Sequence, residues 1–272
     1  MSGVRALRGP WRPLLLAGLA ASTLVPFAWL VLASLSERWF FPALVPPSFT
    51  LASWRAAAGG PLLASALRSV WLGALVGVLA TAVGFAVGRG LAGLRGARRR
   101  VAAALTFLPV AAPPVALATG AQLFFLRSGL AGTSAGVLLA HLVPAAAYLA
   151  LFFAGVFEAR DDAAEDEART LGATRWQALW HVTLPMLRRE LAEAWALGFL
   201  VSWAQVATTQ LVGGGRVHTL ALDVFDALRA GSDRQAAVGA LLLAAPPLLA
   251  LAAARALASR GGAWRALDAG AP

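Results

Sequence analysis

The 272-residue chain has no cysteine, and its 23 basic residues include no lysine. The first absence excludes a disulfide, a thiolate metal site and a cysteine nucleophile. The second removes the lysine that a P-loop extends toward nucleotide phosphates, so any ATP hydrolysis must belong to another polypeptide. No Gly-x-Ser-x-Gly or His-Glu-x-x-His pattern occurs, and His141, His181 and His218 are too scattered to suggest a metal site. No enzyme activity and no resident cofactor are expected. Charge is also scarce, at 13% of residues against 59% apolar, which is far from a soluble composition. No internal repeat and no low-complexity linker divides the chain, which predicts one integrated domain.

Cutting the sequence at its charges leaves six stretches that can each supply the roughly 20 apolar residues of a transmembrane helix. They run Pro13 to Leu35, Ser69 to Gly88, Val101 to Leu126, Gly129 to Phe157, Ala194 to Gly215 and Ala236 to Ala254. The expected fold is all-α, a polytopic membrane protein with six transmembrane helices. The third and fourth stretches exceed a bilayer, so shorter or tilted spans are expected there. The N-terminal arginines followed by an apolar run also fit a signal peptide. At 23 residues, however, the run outlasts a signal h-region and reads as a retained first helix.

Orientation follows from the arginines. Sixteen of the 23 fall in the N-terminal tail, the second and fourth connections and the C-terminal tail, and seven in the alternate connections. Both termini and the fourth connection are therefore expected in the cytoplasm. The net charge of +10 reads as topology, and nucleic acid is not an expected partner.

That fourth connection is the one markedly polar segment. Asp161 and Asp162 sit where a helix would begin and Arg169 near its end, as the helix dipole favours. Ala164, Ala168 and Leu171 share a face, and Gly172 suits a left-handed C-cap. Thr174 with Gln177 forms a capping-box pattern opening a second helix, in which Trp176, Leu179 and Trp180 share a face. Pro185 should break that second helix. The expected result is a cytoplasmic helical knob suited to docking in a partner's groove, as against a merely solvated loop.

The run Asp166-Glu-Ala-Arg-Thr-Leu-Gly-Ala-Thr174 with Val182-Thr-Leu-Pro185 resembles the EAA loop of binding-protein-dependent ABC importer permeases. That family has a Glu-Ala-Ala triplet, a glycine after three further residues, then nine residues before Ile-x-Leu-Pro. Asp166, Glu167 and Ala168 occupy the triplet, Gly172 the glycine, and Val182, Leu184 and Pro185 the tail, with Asp for Glu and Glu for Ala as departures. The resemblance covers roughly Pro61 to Arg255, including Ala66-Leu67-Arg68-Ser69-Val70 and Gly88-Arg89 around the second span.

The resemblance implies a type I importer, or MetI-like, core of five transmembrane helices over 61–255 with a coupling loop at 158–190. Residues 1–60 would hold the tail, first helix and first external loop, and 256–272 the cytoplasmic tail. Asp166, Glu167, Ala168, Leu171, Gly172, Ala173, Leu184 and Pro185 would form the ATPase-coupling segment, with Asp166 or Glu167 paired to a basic group of the ATPase. Implied partners are ABC ATPase subunits that bind the ATP, a second permease subunit, identical or sister, and an extracytoplasmic solute-binding protein, all at a bacterial inner membrane.

Polar residues within the spans are candidates for a translocation path. Pro109, Pro113 and Pro114 interrupt the third span, with Gln122 nearer its outer end; Gln205 and Thr209 lie four apart in the fifth. His141 reads as an interhelical hydrogen-bonding group. Gly213 to Gly215 lead outside into Thr219 to Ala230, where Leu220, Val224 and Leu228 form a stripe suggesting a surface-lying helix. By resemblance, Arg216, Asp223 and Asp226 there would face the binding protein. The stretches Ser202 to Gln205 and Thr209 to Thr219 look like permeases for polyamines, thiamine and iron(III), which suggests a small organic cation and leaves sugars and anions open, since binding proteins hold most of the specificity. The rival class, a stand-alone channel or proton-driven carrier, should carry intramembrane carboxylates. All thirteen acidic residues lie outside the proposed spans.

Overall fold

The structure, a computed structural model, describes residues 11–37, 39, 43–160 and 163–249. Asp161 and Asp162, the end of the expected sixth span and the tail 256–272 lie outside these residues. Among the described residues the chain is helical, apart from one isolated bridge between Ser36 and Phe49. It divides into two compact units, residues 1–63 with 223–244, and 64–222 with 245–272.

The smaller unit opens with α1 (Arg12–Leu35), begun by Pro13 in the first turn, where its missing N–H costs nothing. Leu14, Leu19, Leu24 and Trp29 along it are exposed, which suits a helix facing lipid. In its last turn Ser34 is buried and accepts a hydrogen bond from Trp54 Nε1 in α2 (Ala52–Gly59) at 3.2 Å.

The larger unit is organised by α3 (Pro61–Gly93), whose 33 residues span about 50 Å. Along one side runs a row of small residues, Ser65, Ser69, Gly73, Gly77, Gly84 and Gly88, all buried. The row lets backbones approach closely. A Cβ at Gly84 would lie 2.6 Å from Leu149 Cβ, and one at Gly77 2.8 Å from the Trp195 carbonyl. Small-residue rows of this kind are how helices associate where no hydrophobic effect drives them together.

Next come α4 (Gly96–Ala111) and α5 (Pro114–Arg127), bent by 96°. The expected third span is thus a sharply broken one. Pro109 remains inside α4, while Ala112 and Pro113 are extended and Pro114 starts the new helix, as expected of a residue preceding proline. The helix α6 (Ser134–Ala159), capped by Thr133 accepting from the Gly136 N–H, touches α4 and α5.

After the polar loop, α10 (Arg188–Trp203) packs on α6 and stops at Ala204. The chain resumes as α11 (Ala207–Gly213), so the expected fifth span is two helices. Two apolar clusters fill the unit, one around Leu72, Val137 and Val212, the other around Val76, Leu149 and Phe153. Beyond α11 come α12 (Leu220–Arg229) and a helix over 233–249.

Among the described residues, three helices are individually long and apolar enough to cross a membrane, Pro13–Leu35, Pro61–Gly93 and Ser134–Ala159, and the bent pair α4 and α5 makes a fourth if it is one span. The fifth expected span is the broken pair α10 and α11, and the sixth runs past the described residues.

Candidate functional site

The polar loop 158–190 folds as α7 (Ala163–Thr170), α8 (Arg175–Ala178), a π turn (Leu179–Thr183) and α9 (Leu184–Met186). The end of α7 is a full Schellman motif. Ala173 N–H donates to Ala168 O at 3.0 Å and Gly172 N–H to Arg169 O at 3.1 Å, with Gly172 at φ +96°. A Cβ at Gly172 would meet nothing within 4 Å, so the glycine is needed for its backbone angle alone. The capping box is complete: Gln177 N–H donates to Thr174 Oγ1 at 3.3 Å, and the Thr174 N–H to Gln177 Oε1 at 2.8 Å. Instead of a break at Pro185, the backbone passes through the π turn and bends at Leu187. Pro185 sits in the first turn of α9, where no intrahelical N–H is required of it.

The hairpin turns large apolar side chains outward. Leu171 is 83% exposed, Trp176 70% and Trp180 61%. Leu171, beyond the last turn of α7, leaves the face of Ala164 and Ala168, which are half-buried along with Ala173 and Leu184. Asp166 and Glu167 are exposed, with Asp166 in a loose 3.9 Å pair with Arg169.

The third acid, Glu165, points inward and was not singled out from the sequence. Its side chain is buried. One oxygen takes Arg89 Nη2 of α3 at 2.5 Å, and the other accepts from Thr183 Oγ1 of the π turn at 2.7 Å. Burial raises the pKa of this carboxyl. The hydrogen bonds from Thr183 and Arg89, with the charges of Arg89 and Arg160, outweigh burial and hold it below the ordinary glutamate value. The Arg89 guanidinium also lies 5.9 Å from the ring centre of Phe157. A signal existed in Gly88-Arg89, a lone cation at the end of an apolar helix. Nothing local said which acid it meets.

Within the membrane, His141 bridges the break of the fifth span. Its Nδ1 is 2.9 Å from Ser202 Oγ on α10, and its Nε2 3.0 Å from Thr209 Oγ1 on α11. Thr209 donates its proton to the Gln205 carbonyl, so it accepts from His141 Nε2–H. In the neutral Nε2–H tautomer, which leaves no charge in the interior, Nδ1 accepts from Ser202. Thr209 is fully buried, Gln205 half-buried with Oε1 accepting from Thr208, and Gln122 half-buried on α5. The break at Ala204 removes the helical face that Gln205 and Thr209 were expected to share.

On the opposite side, Gly214 and Gly215 take positive φ and Arg216 is exposed. Arg68 donates to His218 O at 3.0 Å, and Leu220 N–H to Ser69 Oγ at 2.8 Å. The expected helix is α12, in which Leu220, Ala221, Leu222 and Val224 are buried, so two of the three residues of its expected apolar stripe are covered by protein. Leu228 and Asp226 remain exposed, and Asp223 is half-buried. Among the described residues no group of three or more His, Cys, Asp or Glu side chains could hold a metal ion.

Residues 80–261 match the family described as binding-protein-dependent transport system inner membrane component. The permease protein PhnV of Salmonella typhimurium, named for a 2-aminoethylphosphonate transport system, is 28% identical over 255 residues, covering 90% of this chain and 95% of that one. The putrescine transport system permease protein PotI of Escherichia coli K12 is 27% identical over 266 residues, 90% of each chain. Among solved structures, a bacterial ABC transporter involved in the import of the acidic polysaccharide alginate matches with a TM-score of 0.66 at 17% identity, over 93% of this chain and 97% of that one.

Proposed function

On the premise that this chain belongs to the family of binding-protein-dependent transport system inner membrane components, we propose that it is the membrane-spanning permease subunit of an ABC importer whose loop 158–190 receives separate ATPase subunits. The carrying observation is the hairpin itself. It is built by a Schellman motif, a capping box and a π turn, held from inside by Glu165, and crowned with Leu171, Trp176 and Trp180 in the open. Monomeric surfaces rarely expose such a group without a partner. Asp166 and Glu167 beside it supply carboxylates for a basic group of the ATPase. The chain carries no ATP site of its own.

A second permease subunit and an extracytoplasmic binding protein complete the assembly, the latter meeting Arg216, Asp223 and Asp226. Both termini face the cytoplasm, following the arginine bias. Gln122 and Gln205 line the path; Thr209 joins it only if α11 moves away from His141. The relatives named for 2-aminoethylphosphonate and putrescine handle solutes that share a primary amine. This supports a small amine-bearing solute.

The test is copurification of the detergent-solubilised chain, expressed with its neighbouring genes. The intact chain should retain an ATPase subunit, and Gly172→Trp should lose it while inserting normally, because a Cβ there meets nothing of the chain, the strain at φ +96° is confined to the loop, and the added ring obstructs a docked partner. If no ATPase accompanies the intact chain, a stand-alone channel or carrier becomes the better reading.

A further inference from the structure

The eight residues of α7 are too few to hold an orientation alone, so its direction comes from tertiary contacts. Covalently it is reached from α6 and leads through the π turn to α10. Glu165 adds a tie that skips both, to Arg89, 76 residues away on α3. The three consecutive acids of α7 divide the work, with Asp166 and Glu167 exposed and Glu165 buried with both oxygens engaged.

We propose that Glu165 is a positioning residue that locks α7 to the cytoplasmic end of α3, so that displacement of α7 by a docked ATPase is delivered to α3 directly rather than only along the chain. This rests on the permease reading above. The lock is suited to the task because a charge-assisted pair with a buried member gives a fixed direction, and Thr183 holds the carboxylate from the side away from Arg89. The helix α3 is closely packed through its glycines, so whatever moves its end moves it as a body.

The absence of cysteine permits a background-free test. Gly90, where a Cβ meets nothing within 4 Å, and the exposed Thr170 are each replaced by Cys and spin-labelled. The distance between them is read by pulsed EPR in the complex with its ATPase subunits, nucleotide-free and after trapping with Mg-ATP and vanadate. The parent should give one narrow distance that is the same in both states. Glu165→Gln keeps an oxygen for Thr183 but drops the charge facing Arg89. It should at least double the width and let the distance move on trapping, as α7 follows the ATPase and α3 lags. The charge-reversed pair Arg89→Glu with Glu165→Arg should narrow the distribution again. A parent distance that shifts on trapping, or a Glu165→Gln distance that stays narrow and still, would overturn the proposal. If no ATPase copurifies, the permease reading is what fails. The nucleotide-free width of Glu165→Gln still decides the lock, a broad distribution supporting it and a narrow one overturning it.

Discussion

Two polar anchors hold this molecule's larger unit, and they use different chemistry. At the base of the polar loop, Glu165 and Arg89 meet as charges, with Thr183 completing the carboxylate. Among the helices, His141, Ser202 and Thr209 meet as neutral groups. The difference follows from access to water. Arg89 keeps 42% of its side chain exposed, so only one member of the ion pair is desolvated. In the dry interior a charge costs several kcal/mol even when paired, and an imidazole between two hydroxyls satisfies every polar atom without one. Glycine divides in the same way. In the dry region Gly84 and Gly88 are there for space, and in the wet loop Gly172 is there for its angle.

The largest expected effect tests the dry side of that comparison. Gly84→Leu forces a side chain where even a Cβ would lie 2.6 Å from Leu149 Cβ. Overpacking of this kind costs about 3 kcal/mol or more, and the purified protein should lose its monodisperse elution peak. Retained elution with an unchanged melting temperature would show that α3 and α6 are not this close.

Next is Glu165→Leu. It strands the buried Thr183 hydroxyl, and we expect a local loss of about 2 kcal/mol, read as faster hydrogen exchange across 163–173 with the membrane helices unaffected. Slower exchange there would mean that the carboxylate is strained rather than anchoring. Gly172→Ala should cost about 1 kcal/mol through backbone strain, a modest rise in the same exchange, and far less than Gly84→Leu.

His141→Phe should be comparable to Gly172→Ala and milder than Glu165→Leu, at about 0.6 kcal/mol for each of its two interhelical hydrogen bonds, because the Thr209 hydroxyl keeps the Gln205 carbonyl. Its effect should appear as faster exchange confined to the break around 204–206. A loss as large as that of Glu165→Leu would erase the distinction between the two anchors.

The smallest expected effect is a null result. The folded pKa of Glu165 lies below its unfolded value, so its contribution is fully present above the ordinary glutamate pKa and is lost as pH falls through the folded one. Exchange across 163–173, corrected for the intrinsic rate, should therefore be flat from pH 8 to 5 and rise only below about 4.3. A rise between pH 7 and 5 would place the carboxyl in a different environment.

Much of the polar loop was legible in the sequence. The Thr174 to Gln177 capping box and the left-handed Gly172 are formed by residues within a turn of each other. The path of the backbone past Pro185 was not, because it runs through a π turn whose last residue, Thr183, bonds to Glu165, 18 residues away. Glu165 itself could not be distinguished from Asp166 and Glu167 in a run of three acids; only the position of Arg89 selects it. The prolines of the third span announced an interruption, but its 96° bend arises in the fold. His141 could be read as a hydrogen-bonding group, and its two partners on either side of a helix break could not.

Sequence alone therefore determined the class of the protein: composition requires a membrane, the spacing of the polar loop points to its family, and caps and turn residues specify each short helix through interactions a few residues long. Tertiary structure decided which acid is an anchor, which hydroxyls satisfy the buried histidine and where the spans break. Those choices depend on groups brought together from distant parts of the chain, and short-range periodicity carries no information about a neighbour 76 residues away.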